Sequence, residues 1–173
     1  HLRNDKPKGI AVNGVKLKKA AELLGIMNII LFSPEDLSII KNGPSDRRNF
    51  VDTELCQLDK VYLYNLTNYN KIINQRNNLL KDIAFHPELV DTLDIWDTQL
   101  ISLGSKIIDR RSRFIDELNN IIFDIHKNLT GNKEDLIIKY APNVTIEGFK
   151  DKLNNNREKD IKLKMSHTGP HRD

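Results

Sequence analysis

The sequence has little of what several common functional classes require. Its 173 residues include one cysteine, Cys56, which excludes an internal disulfide framework and a cysteine-based zinc site. No stretch approaches the roughly 20 apolar residues of a membrane helix, so we expect no membrane partner. The sequence also shows no initiator Met and no signal peptide. We therefore expect it to be a segment cut from a longer chain.

Motifs for catalysis and metal binding are also missing. Gly9 and Gly14 have the spacing of a phosphate-binding loop, but Val15 follows where Lys and Ser or Thr are required. His167 and His171 are four residues apart, yet an intervening Gly-Pro forbids a helix between them. No Ser/His/Asp or Cys/His arrangement can be argued. The sequence therefore predicts no catalytic residue and no metal site within the chain.

The composition that is present suits a soluble domain with a core, because 39% of residues are hydrophobic and 29% are charged. Net charge is +3, too small by itself to indicate nucleic-acid binding. Residues 1–44 carry seven basic and four acidic side chains, 45–131 eleven and thirteen, and 132–173 nine and seven. The middle block is thus acidic overall and differs from both flanks.

The two flanks show strand-like patterns. Asn13-Gly14 within 9–19 is the strongest short signal for a β-hairpin, with Val15 and Leu17 forming a half-buried strand face. An apolar run at 26–32 and an alternating stretch at 160–166 also predict strands. Further elements are a short helix at 19–24, a strand at 136–141 and a helix at 145–158.

The middle block shows helical periodicity. Pro44 is followed by Ser45 and Asp46, either of which could cap a helix. Two longer helices are predicted at 60–84 and at 88–129, the second ending at a C-terminal glycine. Its apolar seam has a nearly heptad spacing, so we expect it to pack antiparallel to the helix before it.

Two residues of the long helix have specific predicted roles. Trp96 is expected to be a core anchor between the two helices. Gly104 marks the expected position of a bend, because glycine weakens a helix interior.

The order of strands, helices and strands again predicts a mainly helical α+β fold. A helical hairpin or bundle over 45–131 would be inserted between strands of one head, contributed by 1–44 and 132–173. The flanking strands are expected to pair in one sheet beneath the helices.

Four segments resemble motifs of the RecF family of bacterial DNA replication and repair proteins. They occur in the family's order and extend over nearly the whole chain. The segments are Leu31–Asp52, Tyr69–Lys81 with its Gln-Arg-Asn, Trp96-Asp-Thr-Gln-Leu followed by Gly104 and Arg111, and Gly169-Pro170-His171-Arg172-Asp173.

The resemblance implies an ABC-type ATPase related to SMC heads, with a helical lobe II inserted into a head lobe I. It implies ATP and Mg as cofactors of the full-length protein, with none held by this segment. It also implies gapped or double-stranded DNA, RecO and RecR as partners, an ATP-dependent homodimer, and action in RecA loading and the SOS response. The full-length protein would be a weak DNA-dependent ATPase in the bacterial cytoplasm, associated with the nucleoid.

Two groups of residues are candidates for roles in this function. Ser33-Pro34-Glu35-Asp36 is expected to be a nucleotide-sensing hinge, although the same residues suit an ordinary helix start. Arginines can contact phosphates or form structural ion pairs, and for Arg76 the sequence favours a partly buried pair. The arginine candidates for DNA or interface contacts are Arg47, Arg48, Arg76, Arg110, Arg111 and Arg113.

A second hypothesis is an independent helical module of the coiled-coil adaptor type, with no nucleotide function. Such a module would not need strand-rich flanks. Failure of residues 1–40 and 132–173 to pair into one sheet would favour it.

Overall fold

A computed structural model describes residues 9–26, 28–30 and 33–173. The chain divides into two compact units, His1–Lys60 and Val61–Asp173. The domain boundaries predicted near residues 44 and 131 stay a prediction.

The first unit begins with the predicted hairpin. Strands β1 (Ala11–Val12) and β2 (Val15–Lys16) pair antiparallel, with Val12 opposite Val15. Asn13 and Gly14 both have positive φ, 50° and 82°, as a type I′ turn requires. The expected half-buried face is wrong for Val15, which is 67% exposed.

Short helices follow the hairpin. Two 3-10 helices, Ala20–Leu23 and Pro34–Leu37, precede α1 (Ser38–Lys41). The buried strand predicted at 26–32 is not formed by its described residues, since Ile29 and Ile30 are 60% and 94% exposed. Met27, Leu31 and Phe32 lie outside the described residues.

Helix α2 (Pro44–Leu58) has Gly43 as its N-cap residue, not Ser45 or Asp46 as predicted. Pro44 occupies the first helical position, where its missing N–H costs nothing. The cap therefore lies one residue before the proline rather than after it.

The second unit is organised by two long helices. Helix α3 (Lys60–Asp82) and helix α4 (Leu93–Leu129) match the predicted pair, with a 3-10 helix, Pro87–Thr92, before α4. Gly131 follows α4 with φ of 62°, the left-handed conformation typical of a glycine after a helix end. Length and position of both helices were thus readable from the apolar seam.

The two helices run antiparallel, as predicted. Three residue pairs face each other across them, two joined by side-chain hydrogen bonds and one by close packing on a glycine. On both helices each pair is seven residues from the next, in reversed order on α4. A spacing of seven returns a helix to the same face after about two turns. The three pairs are Tyr62 with Arg111, Tyr69 with Gly104, and Arg76 with Asp97.

An apolar cluster closes the end of the pair nearest the connection between the helices. Leu80, Ile83 and Leu93 form its buried centre, with Leu80 and Leu93 at 0% exposure. Partly buried neighbours complete it: Leu79, Leu89, Val90 and Ile161.

Gly104 lies inside the continuous helix α4, where its structural role is close packing. A Cβ placed there would lie 2.5 Å from Cε1 of Phe149 and 3.1 Å from Cε2 of Tyr69. The residue thus makes room for two aromatic rings. Trp96 is only partly buried, so it is less of a core anchor than predicted.

The last part of the chain differs most from the sequence prediction. Residues 136–141 form no strand; the backbone N–H and C=O of Ile138 are instead bonded to the Asn119 side chain of α4. Residues 160–166 are not a strand either, because α6 (Arg157–Leu163) covers most of them. The predicted helix at 145–158 is present as α5 (Phe149–Asn155).

The fold class is confirmed as mainly helical with a small antiparallel sheet. Among the described residues the only sheet is β1–β2, so the expected pairing of the two flanks is not found. The described residues contain no helix that could span a membrane.

Candidate functional site

The site is built where the segment 164–173 lies against α3 and α4. This segment has almost no regular structure beyond the 3-10 helix Pro170–Arg172. Polar side chains of the two helices hold it at several points. The Gly-Pro-His-Arg-Asp motif that carried the family resemblance is part of it.

Arg76 forms the centre of a buried charge cluster. Its side chain is fully buried, and its Nε donates to Oδ1 of Asp97 at 2.7 Å. Its Nη1 donates to Oδ2 of Asp160 at 2.7 Å and to Oγ of Ser166 at 2.8 Å. Nη2 is buried and has no hydrogen-bond partner among the described residues. The ion pair that the sequence favoured for Arg76 is present, and this side chain has no exposed surface for DNA.

A second arginine completes the charge balance of the cluster. Arg157 donates from Nη2 to Oδ2 of Asp97 at 2.7 Å and also bonds to Asp94. Partial burial by itself would lower the pKa of Arg157, but the hydrogen bonds to Asp94 and Asp97 outweigh it and raise that pKa. His167 contacts Oδ1 of Asp160 through Nδ1 at 2.9 Å. Each buried carboxylate is thus compensated by at least one cation, as buried charges require.

Ser166 connects this cluster to the motif. Its backbone N–H and its hydroxyl both donate to Oδ1 of Asn77, each at 2.8 Å. Its carbonyl accepts from Nε2 of His171 at 3.1 Å and from two nitrogens of Arg172. Ser166 is 1% exposed. Asn77 of α3 therefore holds a buried residue, and the carbonyl of that residue in turn binds the motif.

Gly169 begins the motif in a conformation that requires glycine. Its φ is 127°, which L side chains rarely adopt. A Cβ there would lie 2.3 Å from the Tyr69 hydroxyl oxygen. That hydroxyl is in turn 2.8 Å from Nδ1 of His171. Conformation and close approach therefore both demand glycine at this position.

Asp173 ends the motif in a second polar cluster. Its Oδ2 accepts from Nη1 of Arg111 at 2.8 Å and from the Tyr140 hydroxyl. Its Oδ1 accepts from the backbone N–H of Asn143 at 2.8 Å, and the Asn143 side chain accepts from Gly169 N at 3.1 Å. Burial, then the hydrogen bond to the Asp173 carboxylate, raise the pKa of Tyr140. The tyrosine therefore stays a proton donor.

Arg111 links this cluster back to the helix pair. It is 3% exposed, donates from Nε to the Tyr62 hydroxyl at 3.0 Å, and donates from Nη1 to the carbonyl of Pro170 at 2.8 Å. Like Arg76, it is occupied by internal contacts and offers DNA almost no surface.

The other arginine candidates lie elsewhere. Arg113 pairs with Asp109 one turn earlier on α4 and has a 67% exposed side chain, and Arg110 lies 3.6 Å from Glu117. In the first unit Arg47 donates to the carbonyl of Asn42 at 2.9 Å. Arg48, also on α2, is partly buried.

The hinge candidates form the start of a short helix. Pro34 is the first residue of its 3-10 helix, and Glu35 and Asp36 follow within it. The backbone N–H of Ser33 donates to Oδ2 of Asp36 at 2.7 Å, which is the reciprocal half of a capping box. This geometry is the helix start that the sequence allowed; the nucleotide-sensing role stays a prediction.

Sequence reasoning missed the partners that complete the site. Asp160, Tyr140 and Asn143 were not singled out, and Asn77 and Asp97 stood only within the family motifs, without these partners. One usable signal was Arg76 itself, since an arginine on an apolar helix face requires a buried carboxylate. No group of side chains in the described residues has the arrangement of a metal site.

Comparison with known proteins gives a consistent result. The chain is 59% identical over 175 residues to the "DNA replication and repair protein RecF" of Lachnospira eligens, and 56% identical over 173 residues to that of Agathobacter rectalis. Both alignments cover 100% of this chain and 48% of the relative. The chain is a homologue of part of RecF. It spans about half the length of the curated RecF relatives that it matches, and no family model matches it.

Solved RecF structures agree with the sequence relatives. A structure of the recombination mediator protein RecF-ATPrS in the RecFOR pathway matches 99% of this chain and 48% of its own, with a TM-score of 0.88 and 35% identity. A RecF-ATP structure of that pathway matches 96% of this chain and 47% of its own, with a TM-score of 0.84 and 36% identity. The RecF resemblance therefore holds for sequence and for fold.

Proposed function

We propose that the whole protein is a RecF-type recombination mediator. It would bind DNA in an ATP-dependent manner and act with RecO and RecR in gap repair and RecA loading, within the SOS response. The single observation that supports this best is the 59% identity to a RecF over the full chain. The proposal includes Mg with ATP, an ATP-dependent homodimer, and a cytoplasmic, nucleoid-associated location.

Within that protein this chain would supply a scaffold rather than the reaction. We propose that residues 45–131 act as lobe II and that 1–44 and 132–173 belong to the head. The buried contacts that hold Gly169–Asp173 against α3 and α4 support a structural link between the helices and this motif. The hinge role of Ser33–Asp36 belongs to the same proposal.

The adaptor hypothesis makes a different prediction. Among the described residues no sheet joins the two flanks, which by itself favours an adaptor. The similarity to RecF, however, extends over both units and not only over α3 and α4. That extent favours the RecF-type function.

The proposal is tested with the purified whole protein. We expect slow Mg-dependent ATP hydrolysis that gapped DNA stimulates, and faster RecA loading on gapped DNA when RecO and RecR are present. The 173-residue chain by itself should hydrolyse no ATP. DNA binding by the whole protein without ATP would contradict the proposed ATP dependence. ATP hydrolysis by the 173-residue chain alone would contradict the proposed division of roles.

Arg76 and Arg111 are buried, so the other four arginine candidates are better placed for DNA contact. We propose the exposed Arg113 and Arg47 as such contacts, together with the partly buried Arg48 and Arg110. Arg113→Gln should weaken DNA binding at all sequences and reduce the salt slope by about 1, because one phosphate would no longer be neutralised. Lys106→Gln, an exposed position on the same helix, is the matched control. Equal effects of both substitutions would point to net charge rather than a specific contact.

A further inference from the structure

The imidazole of His171 is bonded on both sides. Nε2 is 3.1 Å from the carbonyl oxygen of Ser166, and Nδ1 is 2.8 Å from the hydroxyl oxygen of Tyr69. A backbone carbonyl can only accept, so Nε2 must carry a proton. In a neutral imidazole Nδ1 then has a lone pair, which makes the Tyr69 hydroxyl its donor.

Burial and close packing restrict the position of the Tyr69 side chain and of its hydroxyl. The side chain is 1% exposed, and Gly104 of α4 leaves space for its ring. Its hydroxyl oxygen lies only 2.3 Å from where a Cβ of Gly169 would be. Two glycines thus leave the space that the ring and the hydroxyl of Tyr69 occupy.

The charges near Tyr69 favour the same proton arrangement. Burial, followed by the negative charge of Asp173, raises the pKa of Tyr69 far above its usual value, although the nearby Arg111 and Arg76 act in the opposite direction. The hydroxyl therefore keeps its proton and stays available as a donor to His171.

We propose that Tyr69 is a positioning residue that fixes His171 as the neutral Nε2–H tautomer. The fixed imidazole then holds the Ser166 carbonyl and closes the turn from Ser166 to His171 against α3. This inference assigns the placement of the Gly-Pro-His-Arg-Asp motif to one hydroxyl group of the helical scaffold, that of Tyr69. Its consequence for activity rests on the proposed function. In this role His171 is structural, since each of its ring nitrogens already forms a hydrogen bond within the chain.

The test is nitrogen NMR of the histidine side chains in the whole protein. The His171 signal is assigned by its loss in His171→Asn. We expect a protonated Nε2 and an unprotonated Nδ1 in the unsubstituted protein. A protonated Nδ1 with an unprotonated Nε2, or a doubly protonated ring at neutral pH, would overturn the proposal without any substitution.

Tyr69→Phe removes only the hydroxyl and tests the donor directly. We expect the ratio of the two His171 tautomers to move toward Nδ1–H by about five- to tenfold, the size of one neutral hydrogen bond. Tyr64→Phe is the matched control, because Tyr64 lies on the same helix and is 67% exposed. An unchanged His171 signal in Tyr69→Phe would refute the role of Tyr69.

A functional readout separates this inference from the proposed function. We expect Tyr69→Phe, but not Tyr64→Phe, to reduce DNA-stimulated ATP hydrolysis several-fold. If the unsubstituted protein shows no ATP hydrolysis, the proposed function fails while the tautomer result still stands. If hydrolysis is present and the tautomer is Nδ1–H, only the present inference fails.

Discussion

Two neighbouring stretches of the α3–α4 pair are joined by different chemistry. Near the helix connection, Leu80, Ile83 and Leu93 form an apolar cluster. One or two turns away, Arg76 and Asp97 join the helices by a buried ion pair. Apolar burial is non-directional and brings helices together in many registers, whereas a buried ion pair is satisfied only in one. The comparison indicates that the apolar end supplies attraction and the polar stretch supplies register.

The difference in chemistry also explains which later residues the apolar cluster and the polar stretch contact. The apolar end takes up Ile161 of α6 by simple contact. The polar stretch forms hydrogen bonds with specific atoms of residues later in the chain, such as Oδ2 of Asp160 and Oγ of Ser166. Directional contacts are therefore concentrated where the Gly-Pro-His-Arg-Asp motif must be placed.

The largest expected effect comes from breaking the polar stretch. Arg76→Ala would leave the fully buried Asp160 without its arginine and Asp97 with Arg157 as its remaining arginine. Removing one partner of such a buried pair costs about 3–5 kcal/mol of unfolding free energy. Urea unfolding measures this loss. Arg76→Lys should rescue only part of it, because a single ammonium cannot reproduce the planar fork. A loss below about 1 kcal/mol for Arg76→Ala would show that the cluster is not buried as described.

A comparable but smaller effect is expected at the apolar end. Leu80→Ala removes a fully buried side chain and should cost about 2–4 kcal/mol in the same urea experiment. Leu80→Met, which conserves volume, should cost less than about 1.5 kcal/mol. Tolerance of Leu80→Met together with intolerance of Arg76→Lys would confirm the contrast between the apolar cluster and the polar stretch. Equal tolerance of both substitutions would remove that contrast.

Packing farther from the helix connection, beyond Arg76 and Asp97, is tested at Gly104. Alanine is favoured over glycine in a helix by about 1 kcal/mol. The new Cβ would nevertheless lie 2.5 Å from the ring of Phe149, and overpacking costs about 1–3 kcal/mol. We therefore expect a net thermal destabilisation. Gly9→Ala, where no atom lies within 4 Å, is the control and should leave the melting temperature nearly unchanged.

The smallest effect is expected for an exposed polar pair. Arg113→Gln removes an ion pair with Asp109 on the surface of α4, and its stability cost should stay below about 0.5 kcal/mol. Calorimetry of this variant beside Arg76→Ala compares the same residue type in two environments. A large loss for Arg113→Gln would mean that charge itself, rather than burial, stabilises the helix pair.

The sequence predicted the helix pair well because its signal is local and repeated. Leu93, Leu100 and Ile107 recur along one face of α4, and all three are fully buried. The antiparallel arrangement was predicted from the nearly heptad spacing of this same apolar seam. These features need no knowledge of the rest of the chain.

The errors have a common physical origin in non-local contacts. Ile161, Leu163 and Met165 alternate with lysines as in a strand, but Ile161 packs on the apolar cluster while Leu163 and Met165 are 52% and 44% exposed. Lys164 adopts a left-handed conformation at the helix end. Alternation alone could not distinguish these environments.

The site was less predictable than the fold. Arg76 was identified as a paired residue, but Asp160 lies 84 residues away and was assigned to a strand. The motif residues Gly169 and His171 were found by resemblance alone. Their contact with Tyr69 depends on the path of the chain after α4, which no local pattern encodes.

The seven-residue spacing of the three residue pairs between α3 and α4 restricts how the length of this protein can vary. Deleting one residue between Tyr69 and Arg76 would rotate one end of α3 by about 100° relative to the other, so that one pair would lose its partner. Tolerated insertions should come as matched sets of seven in both helices, or else fall in the connection after Asp82. The positions and sizes of insertions and deletions among related chains therefore reveal this register from sequence alone.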